Sequence, residues 1–577
     1  MNQESNEILK GGDLLVKCLL DAGVKYLFGI PGGQLLTIQD AIYRWGRDNG
    51  IQTVMVRHEQ AGVHAADAYA RVTGGIGVCF GTVGPGVTDM IPGVGAAWAD
   101  NIPLLVIGAQ LKQKLDGKSA LQGGVDQISL MKPLTKAQFQ IQVVGEIPEI
   151  LPKAILLALS GRKGPVYVDI REDALIAEIP PEIKPSMSSP DGTHTIMKTS
   201  ADPTSIKKAV DLLKKSRKPL IICGYGVISD DACEQVKALT SKCSIPAGTS
   251  FSGIGAISFK EPTYIGASLN SDSLLNTAKE ADLVMSIGCK WDYSLAFGIP
   301  PLWPSKQSMI QIDVDPEEIG KNRPEDVALV GNTDVVLDQL LKEMDTKIGE
   351  DKLIEWEKWN NEQQEYKAIQ TRKLRKKMDS DKVPILPQRL CNELLEFFPS
   401  DSIMIADGGD ISVFAEEQFD LHEPHPPRFT IASVGMGHLG AGIPYAIGAQ
   451  LAFPDKQVGV LVGDGSFLFN IQELETATRL KLPIMVGIAN NSAWGMIKST
   501  QKLSFKKRYL DTDFPPEIDY ARIAEGFGCH AEVVDKPEDI KPALQRAFDS
   551  GKTSVIDFKI DWSVPKGTKL MITLDLV

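Results

Sequence analysis

The stretch that decides the fold is KQVGVLVGDGSFLFNIQELETATRLKLPIMVGIANN, residues 456–491. Apolar runs at 456–462 and 484–489 predict two buried strands, and the apolar stripe of the segment between them predicts one amphipathic helix over 466–480. Two strands joined by a helix run parallel in a sheet. The stretch therefore predicts an α/β domain with a parallel sheet.

A polar residue follows each of these strands. Asp464, in the run Gly463-Asp464-Gly465, follows the first, and Asn491 follows the second, 27 residues later. Ligands of such sheets bind at the carboxyl ends of the strands. The glycines let a phosphate approach the start of the helix, and Asp464 and Asn491 offer hard oxygen ligands suited to Mg²⁺. The alternative is that both motifs are simple turns, which these residue types commonly form.

A second constellation lies in RHEQAGVHAADAYAR, residues 57–71. Its alanine stripe predicts a helix of small residues that packs closely on a neighbour and ends at Gly74. Glu59 lies at the amino end of this helix, where an acid is often only a surface charge. Residues 27–34 and 81–86 end apolar stretches with glycine-rich turns, and residues 103–109 predict a further buried strand. These strand ends indicate instead a ligand crevice beside Glu59.

Composition excludes several classes of protein. The chain has 577 residues and a net charge of −13, which argues against nucleic acid as its partner. No run of about 18 apolar residues occurs, so no membrane span is expected, and the amino terminus lacks the apolar core of a signal peptide. The eight cysteines show no metal-binding spacing and indicate free thiols in the cytoplasm. Cys79, Cys223 and Cys289 are expected in the core.

The length suggests about three domains. We predict doubly wound α/β domains with parallel sheets at residues 1–180, 200–345 and 384–577. A stretch rich in proline and serine at 176–203 predicts a linker, and the charged stretch 346–383 predicts a solvated helix and linker. The strands predicted for the middle domain are 219–223, 282–287 and 309–314.

The motifs together resemble the thiamine-diphosphate enzymes of the acetolactate synthase superfamily. The residues that carry the resemblance are Glu59 in RHEQ, the turns FGIPGG and TVGPG, the run IQIDVDPEEIGKN at 310–322, and GDGSFLFNIQELET with its NN. The resemblance covers nearly the whole chain. It implies that the three domains are pyrimidine-binding, central and diphosphate-binding, and that thiamine diphosphate and Mg²⁺ are the cofactors.

The resemblance also implies residue roles. Asp464 and Asn491 would bind Mg²⁺ through their side chains and Ala493 through its carbonyl. Glu59 would hydrogen-bond the N1′ atom of the aminopyrimidine, favouring the imino tautomer that removes the C2 proton, and a raised pKa would suit it for this work. Leu439 would support the bent cofactor, and Gly437 would accept from its 4′-amino group. Further cofactor contacts would come from Pro31, Gly84, Gly463, Gly465, Ser466 and Trp494.

The substrate is less defined by the motifs. The synthases, which join two 2-oxo acids, match the GDG run best, but they have an arginine that contacts FAD where Lys290 stands and a tryptophan where Thr500 stands. FGIPPLW at 297–303 is similar to 2-hydroxyacyl-CoA lyases, and LQGGVDQ at 121–127 is similar to benzaldehyde lyase. The candidate substrate-side residues are Gln34, Gln122, Trp494 and Met496, and we count Gln34 and Gln122 with Glu59 as catalytic.

Three functions follow. The first is a lyase or carboligase of 2-oxo acids or 2-hydroxy carbonyl compounds, with the cofactor as electron sink. The second is a 2-hydroxyacyl-CoA lyase or oxalyl-CoA-type decarboxylase, and the third is a catalytically silent nucleotide-binding subunit. The central domain is expected to bind a nucleotide, ADP or CoA in preference to FAD. The family places Glu59 and Asp464 on different subunits, which implies a homodimer or homotetramer.

Overall fold

The computed structural model describes residues 9–181, 183, 196–419, 421–422 and 426–574. It contains three sheets, each with six strands that are all parallel. This confirms the predicted α/β class with parallel sheets. Most of the predicted linker 176–203 lies outside the described residues. No described helix is long and apolar enough to cross a membrane.

The first sheet has the strand order β2-β1-β3-β4-β6-β5. Its strands are β1 Tyr26–Gly29, β2 Gln52–Met55, β3 Gly77–Gly81, β4 Leu104–Gln110, β5 Gln138–Ile141 and β6 Val166–Arg171. The helices of this part are α1 Gly11–Asp21, α2 Leu36–Ala41, α3 Glu59–Thr73, α4 Pro85–Asp100, α5 Gln127–Met131, α6 Ile147–Leu159 and α7 Glu172–Ile176. The strand predicted at 103–109 is confirmed as β4, and the glycine turns predicted at 27–34 and 81–86 lie at the carboxyl ends of β1 and β3.

The second sheet has the order β12-β11-β10-β7-β8-β9. Its strands are β7 Pro219–Cys223, β8 Ala247–Thr249, β9 Tyr264–Ala267, β10 Leu283–Ile287, β11 Ser308–Asp313 and β12 Val327–Val330. The helices are α8 Pro203–Lys215, α9 Tyr225–Ser229, α10 Cys233–Cys243, α11 Asp272–Glu280, α12 Thr333–Lys347 and α13 Glu350–Met378. Of the six strands, β7, β10 and β11 match the predicted strands, whereas β8, β9 and β12, none longer than four residues, were not predicted.

The charged segment 346–383 is largely the single helix α13. It is less solvated than its charge suggests, because the side chains of Trp356 and Trp359 are buried and their indole N–H groups donate to the carbonyls of Ser216 and Pro219. A linker helix with two buried tryptophans is a packed part of the second sheet's layer.

The third sheet has the order β14-β13-β15-β16-β18-β17. Its strands are β13 Ile403–Asp407, β14 Thr430–Ala432, β15 Val458–Gly463, β16 Met485–Asn490, β17 His530–Val534 and β18 Ser554–Lys559. The helices are α14 Pro387–Phe397, α15 Asp410–Phe419, α16 Gly442–Ala452, α17 Asp464–Phe467, α18 Glu473–Arg479, α19 Gly495–Ser504, α20 Tyr520–Gly526, α21 Ile540–Asp549 and α22 Lys566–Thr573. The predicted strands at 456–462 and 484–489 are confirmed as β15 and β16.

The single helix predicted over 466–480 is wrong, because the structure has two short helices, α17 and α18, with a turn between them. The turn is built around buried Asn470, whose side-chain N–H donates to the carbonyl of Gly440 at 2.7 Å. Asparagine favours turns over helix interiors, because its side chain competes for hydrogen bonds with backbone groups.

The chain divides into two compact units. The first unit comprises Met1–Met197, Ser433–Pro454 and Asn470–Leu482, so that α16 and α18 belong with the first sheet. The second unit comprises Lys198–Ala432, Asp455–Phe469 and Pro483–Val577, with the second and third sheets. The boundaries predicted for three domains stay a prediction.

Helix α3 lies in the core of the first unit, and most of its residues are buried. Three glycines lie close against it. An added Cβ on Gly77 would lie 2.1 Å from the Ala66 oxygen, and one on Gly448 would lie 2.0 Å from the Ala65 oxygen. An added Cβ on Gly93 would lie 2.6 Å from the Val63 Cβ. The missing side chains of these glycines let their backbones lie close against α3. The predicted close-packed helix of small residues is therefore confirmed, and Gly74 in the left-handed conformation ends it.

All eight cysteines are free thiols, as predicted. Cys79, Cys223 and Cys289 are fully buried, and burial raises the pKa of each thiol. They are core residues, as the apolar strands around them indicate.

Candidate functional site

In the second unit, Asp464 lies at the carboxyl end of β15, where the strand passes into α17. Its side chain is buried, and its Oδ1 atom accepts from the Gly465 N–H at 2.9 Å. Its Oδ2 atom is buried and finds no hydrogen-bond partner within the described part of the chain. Burial raises the pKa of this carboxyl to about 6. A buried carboxylate oxygen without a donor is a position that suits a cation.

The two asparagines at the end of the neighbouring strand β16 differ in their bonding. Asn490 is buried and donates to Asp557 at 2.9 Å, which fixes the strand end. Asn491 is only half-buried, and its oxygen accepts from the Ala493 N–H at 3.1 Å. The backbone N–H groups of Ser492 and Ala493 act on the Asp464 carboxyl and lower its pKa, against the effect of burial.

The structure therefore brings Asp464 and the 491–493 loop together at the ends of the adjacent strands β15 and β16. The pairing of these strands runs from Gly459 with Met485 to Gly463 with Ala489. The oxygens of this group are carboxylate and amide oxygens, which are the ligands that Mg²⁺ prefers. These residues fit the predicted metal site. The metal roles of Asp464, Asn491 and Ala493 stay a prediction.

Close contacts surround the Gly463-Asp464-Gly465 turn. An added Cβ on Gly465 would lie 2.5 Å from the Trp494 ring, so only glycine fits there. The hydroxyl of Ser466 donates to Asp407 at the end of β13, at 2.5 Å. Trp494 packs edge-to-face with Phe514, with the ring centroids 5.1 Å apart. Trp494 thus shapes the turn, whatever further contact it makes with a cofactor.

Asp410, at the start of α15, is a residue of this site that the sequence analysis missed. It is buried, and desolvation raises the pKa of its carboxyl to about 7. An added Cβ on Gly495 would lie 2.8 Å from the Asp410 Oδ2 atom and 3.0 Å from the Asn491 amide nitrogen. The signal was the run ADGGD at 406–410, which follows β13 as GDG follows β15.

In the first unit, Glu59 is the first residue of α3 and is buried. His58 precedes it as the N-cap, and its Nδ1 atom accepts from the Gln60 N–H at 3.3 Å. Burial raises the pKa of the Glu59 carboxyl; nearby Asp89 raises it further and His58 lowers it. An added Cβ on Gly86 would lie 3.2 Å from the Glu59 Oε1 atom, so the glycine keeps the carboxylate uncovered by a side chain.

The glycine turns after β1 and β3 meet in the first unit. Gln34 accepts from the Thr82 hydroxyl at 2.8 Å, and an added Cβ on Gly32 would lie 2.5 Å from the Thr82 Cβ. Pro31, one residue earlier, is exposed. The turn between β1 and its helix therefore lies against the turn after β3, as the crevice prediction requires.

Gly84 and Gln122 also lie together. An added Cβ on Gly84 would lie 2.4 Å from the Gln122 carbonyl oxygen, and both residues have positive φ. Gln127, which the sequence analysis did not single out, accepts from the Gly84 N–H at 2.7 Å and donates to Asp169 at 2.7 Å. Gln127 is buried and anchors the turn, whereas the Gln122 side chain is half-exposed.

The turn that carries Gly437 and Leu439 belongs to the first unit. Gly437 is exposed with φ 62°, and a Cβ there would touch nothing within 4 Å. The segment before it, Val434 and Gly435, is held by Asp100. The Asp100 carboxylate accepts from the Val434 N–H at 3.2 Å and from the Gly435 N–H at 2.6 Å. Asp100 was not predicted, since its partners are 334 and 335 residues away in the chain.

Comparison with known proteins agrees with this geometry. Three family models of the thiamine pyrophosphate (thiamine diphosphate) enzymes match the chain. The N-terminal TPP binding domain matches residues 9–130, the central domain matches 206–340, and the C-terminal TPP binding domain matches 407–558. The first match contains Glu59 and Gly84, and the last contains Asp464 and Asn491.

Three relatives that are similar over nearly the whole chain are acetolactate synthase large subunits. The chain is 34% identical to the "Probable acetolactate synthase large subunit" of Methanococcus aeolicus over 99% of its own length and 96% of that protein. It is 33% identical to the acetolactate synthase large subunit of Haemophilus influenzae, over 96% of the chain and 95% of that protein. For acetolactate synthase isozyme 3 large subunit of Escherichia coli, the identity is 32% over 96% of each. The chain therefore belongs to the thiamine-diphosphate-dependent enzymes, in the family of the acetolactate synthase large subunits.

Proposed function

We propose that this enzyme forms or breaks a carbon–carbon bond next to a carbonyl group, with 2-oxo acids as substrates and Mg²⁺ as the second cofactor. The observation that carries the proposal is the buried Asp464 carboxylate, which has one oxygen without a donor among the described residues, beside the loop of Asn491. The names of the relatives, all acetolactate synthase large subunits, support a 2-oxo acid over other substrates.

The residues of the second unit would hold the diphosphate and its metal. Asp464, Asn491 and the Ala493 carbonyl would supply three protein oxygens, and phosphate and water would complete the octahedron that Mg²⁺ requires. The Gly465 turn at the start of α17, with Gly463 and Ser466, would let the diphosphate reach backbone N–H groups. When it is bound, thiamine diphosphate supplies an electron sink for the carbanion chemistry.

The residues of the first unit would hold the aminopyrimidine. Glu59 would share a proton with a ring nitrogen, because burial raises its carboxyl pKa towards that of a nitrogen base. The Gly437 carbonyl would accept from the amino group, and Leu439, Pro31 and Gly84 would line the ring. Gln34 and Gln122 would face the substrate as the polar side chains of the two turns.

The experiment that tests this function is product analysis. The enzyme with thiamine diphosphate and Mg²⁺ is incubated in parallel with pyruvate, with benzoin and with a 2-hydroxyacyl-CoA. We expect acetolactate from pyruvate. Cleavage of the thioester alone would establish the second function, and cleavage of benzoin alone a benzaldehyde-lyase activity. No turnover of any of the three would favour the silent subunit, for which intact Glu59, Asp464 and Asn491 are hard to explain.

We also propose a nucleotide, ADP or CoA in preference to FAD, on the second sheet. Its order β12-β11-β10-β7-β8-β9 is that of dinucleotide-binding sheets, which bind at the switch point between the two central strands. Here β7 and β10 end in glycines in close approach, since a Cβ on Gly224 would lie 2.2 Å from the Gly288 oxygen. Calorimetric titration with ADP, CoA and FAD tests the proposal, and heat with FAD alone would reverse the preference.

A homodimer or homotetramer is the expected assembly, with Glu59 and Asp464 supplied to one cofactor by two subunits. The support is the family to which the chain belongs. The cytoplasmic location expected from the sequence likewise stays a prediction.

A further inference from the structure

The short connection between β2 and α3 places Glu59, and each of its N–H groups is held. The connection is Val56, Arg57 and His58. The Val56 N–H donates to the Gly29 carbonyl at 3.3 Å, and the Arg57 N–H donates to the Glu473 Oε1 atom at 2.9 Å. The His58 N–H also faces the Glu473 carboxylate and lowers its pKa. Two of the three backbone donors thus depend on one acid, the first residue of α18.

Glu473 is fully buried, with 0% of its surface exposed. Its second oxygen, Oε2, accepts from the Thr476 hydroxyl at 2.7 Å. Desolvation raises the pKa of this carboxyl to about 6, although the three donors oppose that effect. A buried acid costs free energy unless its oxygens are hydrogen-bonded, and the donors here come from its own helix and from the segment before Glu59.

Other residues of α18 hold the same segment. The Glu475 carboxylate accepts from the Arg57 Nε at 2.7 Å, and the Arg479 guanidinium donates to the Met55 carbonyl at 2.5 Å. These contacts are more exposed than those of Glu473 and are worth less because water competes for them. Of the α18 side chains that contact this segment, Glu473 is the most deeply buried.

We propose that Glu473 is a positioning residue for Glu59: its carboxylate fixes the Arg57 and His58 N–H groups and so sets where α3 begins. This inference rests on the proposed function, in which Glu59 bonds the aminopyrimidine. Since Glu59 is the first helical residue, a shift of the connection moves its carboxylate directly. A misplacement of about 1 Å can cost about 10²-fold in rate.

The test compares Glu473→Met with Glu473→Gln, and uses Glu525→Gln, an exposed acid on α20, as the control. Methionine fills a similar volume without an acceptor, whereas glutamine keeps one acceptor oxygen. Amide hydrogen exchange of Arg57 and His58 in the cofactor-free protein is measured first. Exchange of the C2 proton of bound thiamine diphosphate, followed by NMR, is measured second, together with cofactor affinity.

We expect Glu473→Met to speed amide exchange at both positions and to slow C2-proton exchange by about 10²-fold, with cofactor affinity changed only a few-fold. Glu473→Gln should restore most of both. Faster amide exchange with an unchanged C2 rate would show that Glu473 is merely structural. Equal losses in both variants would show that its charge, not its position, matters. Should the methionine variant not fold, a glutamine variant as slow as Glu59→Gln would overturn the proposal by itself.

Glu59→Gln separates this proposal from the function on which it rests. If that variant exchanges the C2 proton at the normal rate, the role of Glu59 is wrong. If it is slow while Glu473→Met is normal, only the role of Glu473 is wrong.

Discussion

The first and third sheets have the same topology but different chemistry. Counted from their own first strands, both have the order 2-1-3-4-6-5. Both therefore have a switch point between the first and third strands, where such sheets bind ligands. In the third sheet an acid, Asp464, follows the third strand. In the first sheet that position is the uncharged turn with Gly84, and the acid, Glu59, follows the second strand. The shared topology determines the sheet edge at which a ligand binds, and the residues of the turns determine which end of the ligand binds there.

The helices after these strands show a reciprocal arrangement in the first unit. Glu473 begins α18, after the third strand of the third sheet, and holds the connection before α3. Asp100 ends α4, after the third strand of the first sheet, and holds the segment Val434-Gly435 before α16. In both cases a buried carboxylate faces two successive backbone N–H groups and accepts from at least one of them. An acid that binds main chain can position a neighbouring functional group without touching a ligand.

The most disruptive change to the third sheet is Asp464→Ala. We expect the variant to fold but to lose metal-dependent retention of thiamine diphosphate by at least about 100-fold, since even an indirect partner of a metal ligand is worth about 10–100-fold. Calorimetric titration measures the affinity, with Glu525→Ala, at an exposed acid of α20, as the control. Undiminished affinity in Asp464→Ala would remove the metal from the comparison of the two sheets.

The corresponding change in the first sheet is Glu59→Gln. The variant should bind the cofactor and lose turnover by about 10²–10⁴-fold, the usual worth of a general acid–base group. The amide cannot share a proton with the ring nitrogen. Exchange of the C2 proton in deuterated buffer measures the step directly. A variant that loses cofactor binding but not the exchange step would show that the acids of the two sheets do the same work.

The turns after the first strands differ in charge, Gln34 in one sheet and Asp410 in the other. Burial raises the Asp410 carboxyl pKa to about 7 from 3.8. The folded state therefore binds more protons than the unfolded state between these values, and its stability falls as the pH rises from 3.8 to about 7. Asp410→Asn should stabilise the cofactor-free protein at pH 8 by several kcal/mol, at about 1.4 kcal/mol per pKa unit.

Urea unfolding of the wild type and of Asp410→Asn at pH 5 and at pH 8 checks this. The gain should be smaller at pH 5, where the aspartate is still protonated in the folded state but already ionised in the unfolded state. The same change at both pH values would mean that hydrogen bonding, not ionisation, sets the cost of Asp410.

Asp100→Asn tests the reciprocal partner of Glu473. The buried Arg71 guanidinium donates to Asp100 at 2.8 Å and also to Asp67. Replacing one oxygen by an amide nitrogen removes this acceptor, and a hydrogen bond to a charged group is worth about 1.5–3 kcal/mol. We expect the free energy of unfolding to fall by that amount, measured by urea. Asp48→Asn, the same change at an exposed acid of the first unit, serves as control.

The smallest signal is expected from mixed subunits. If Glu59 and Asp464 serve one cofactor from two subunits, mixing inactive Glu59→Gln and Asp464→Ala protomers should restore about a quarter of the sites, as half of randomly formed dimers are mixed and each has one intact site. Activity after proven subunit exchange is the measurement. Exchange without any regained activity would place both residues of each site on one chain.

Local patterns predicted the parts of the site that are local in sequence. The strands β15 and β16, the turn with Asp464, and the helix that begins at Glu59 follow from apolar runs, glycines and an alanine stripe. The break at Asn470 was missed because its cause is the Gly440 carbonyl, 30 residues away. Glu473 was treated as an ordinary helix residue because its backbone partner Arg57 is 416 residues distant. A residue that bonds Glu473 through its backbone N–H can have almost any side chain, so the sequence at that position gives no sign of the bond.

The close approach of Gly448 to Ala65 has a consequence for biosynthesis. Helix α3 is made early, yet its neighbour α16 is made only after the whole second sheet. At about 5–20 residues per second the ribosome needs roughly tens of seconds to cover that interval. Protease protection of 59–73 in ribosome-bound chains should therefore arise only once residues up to 454 have emerged, and protection of shorter chains would contradict this order. Until then the nascent chain holds its most alanine-rich helix without the partner that completes its burial.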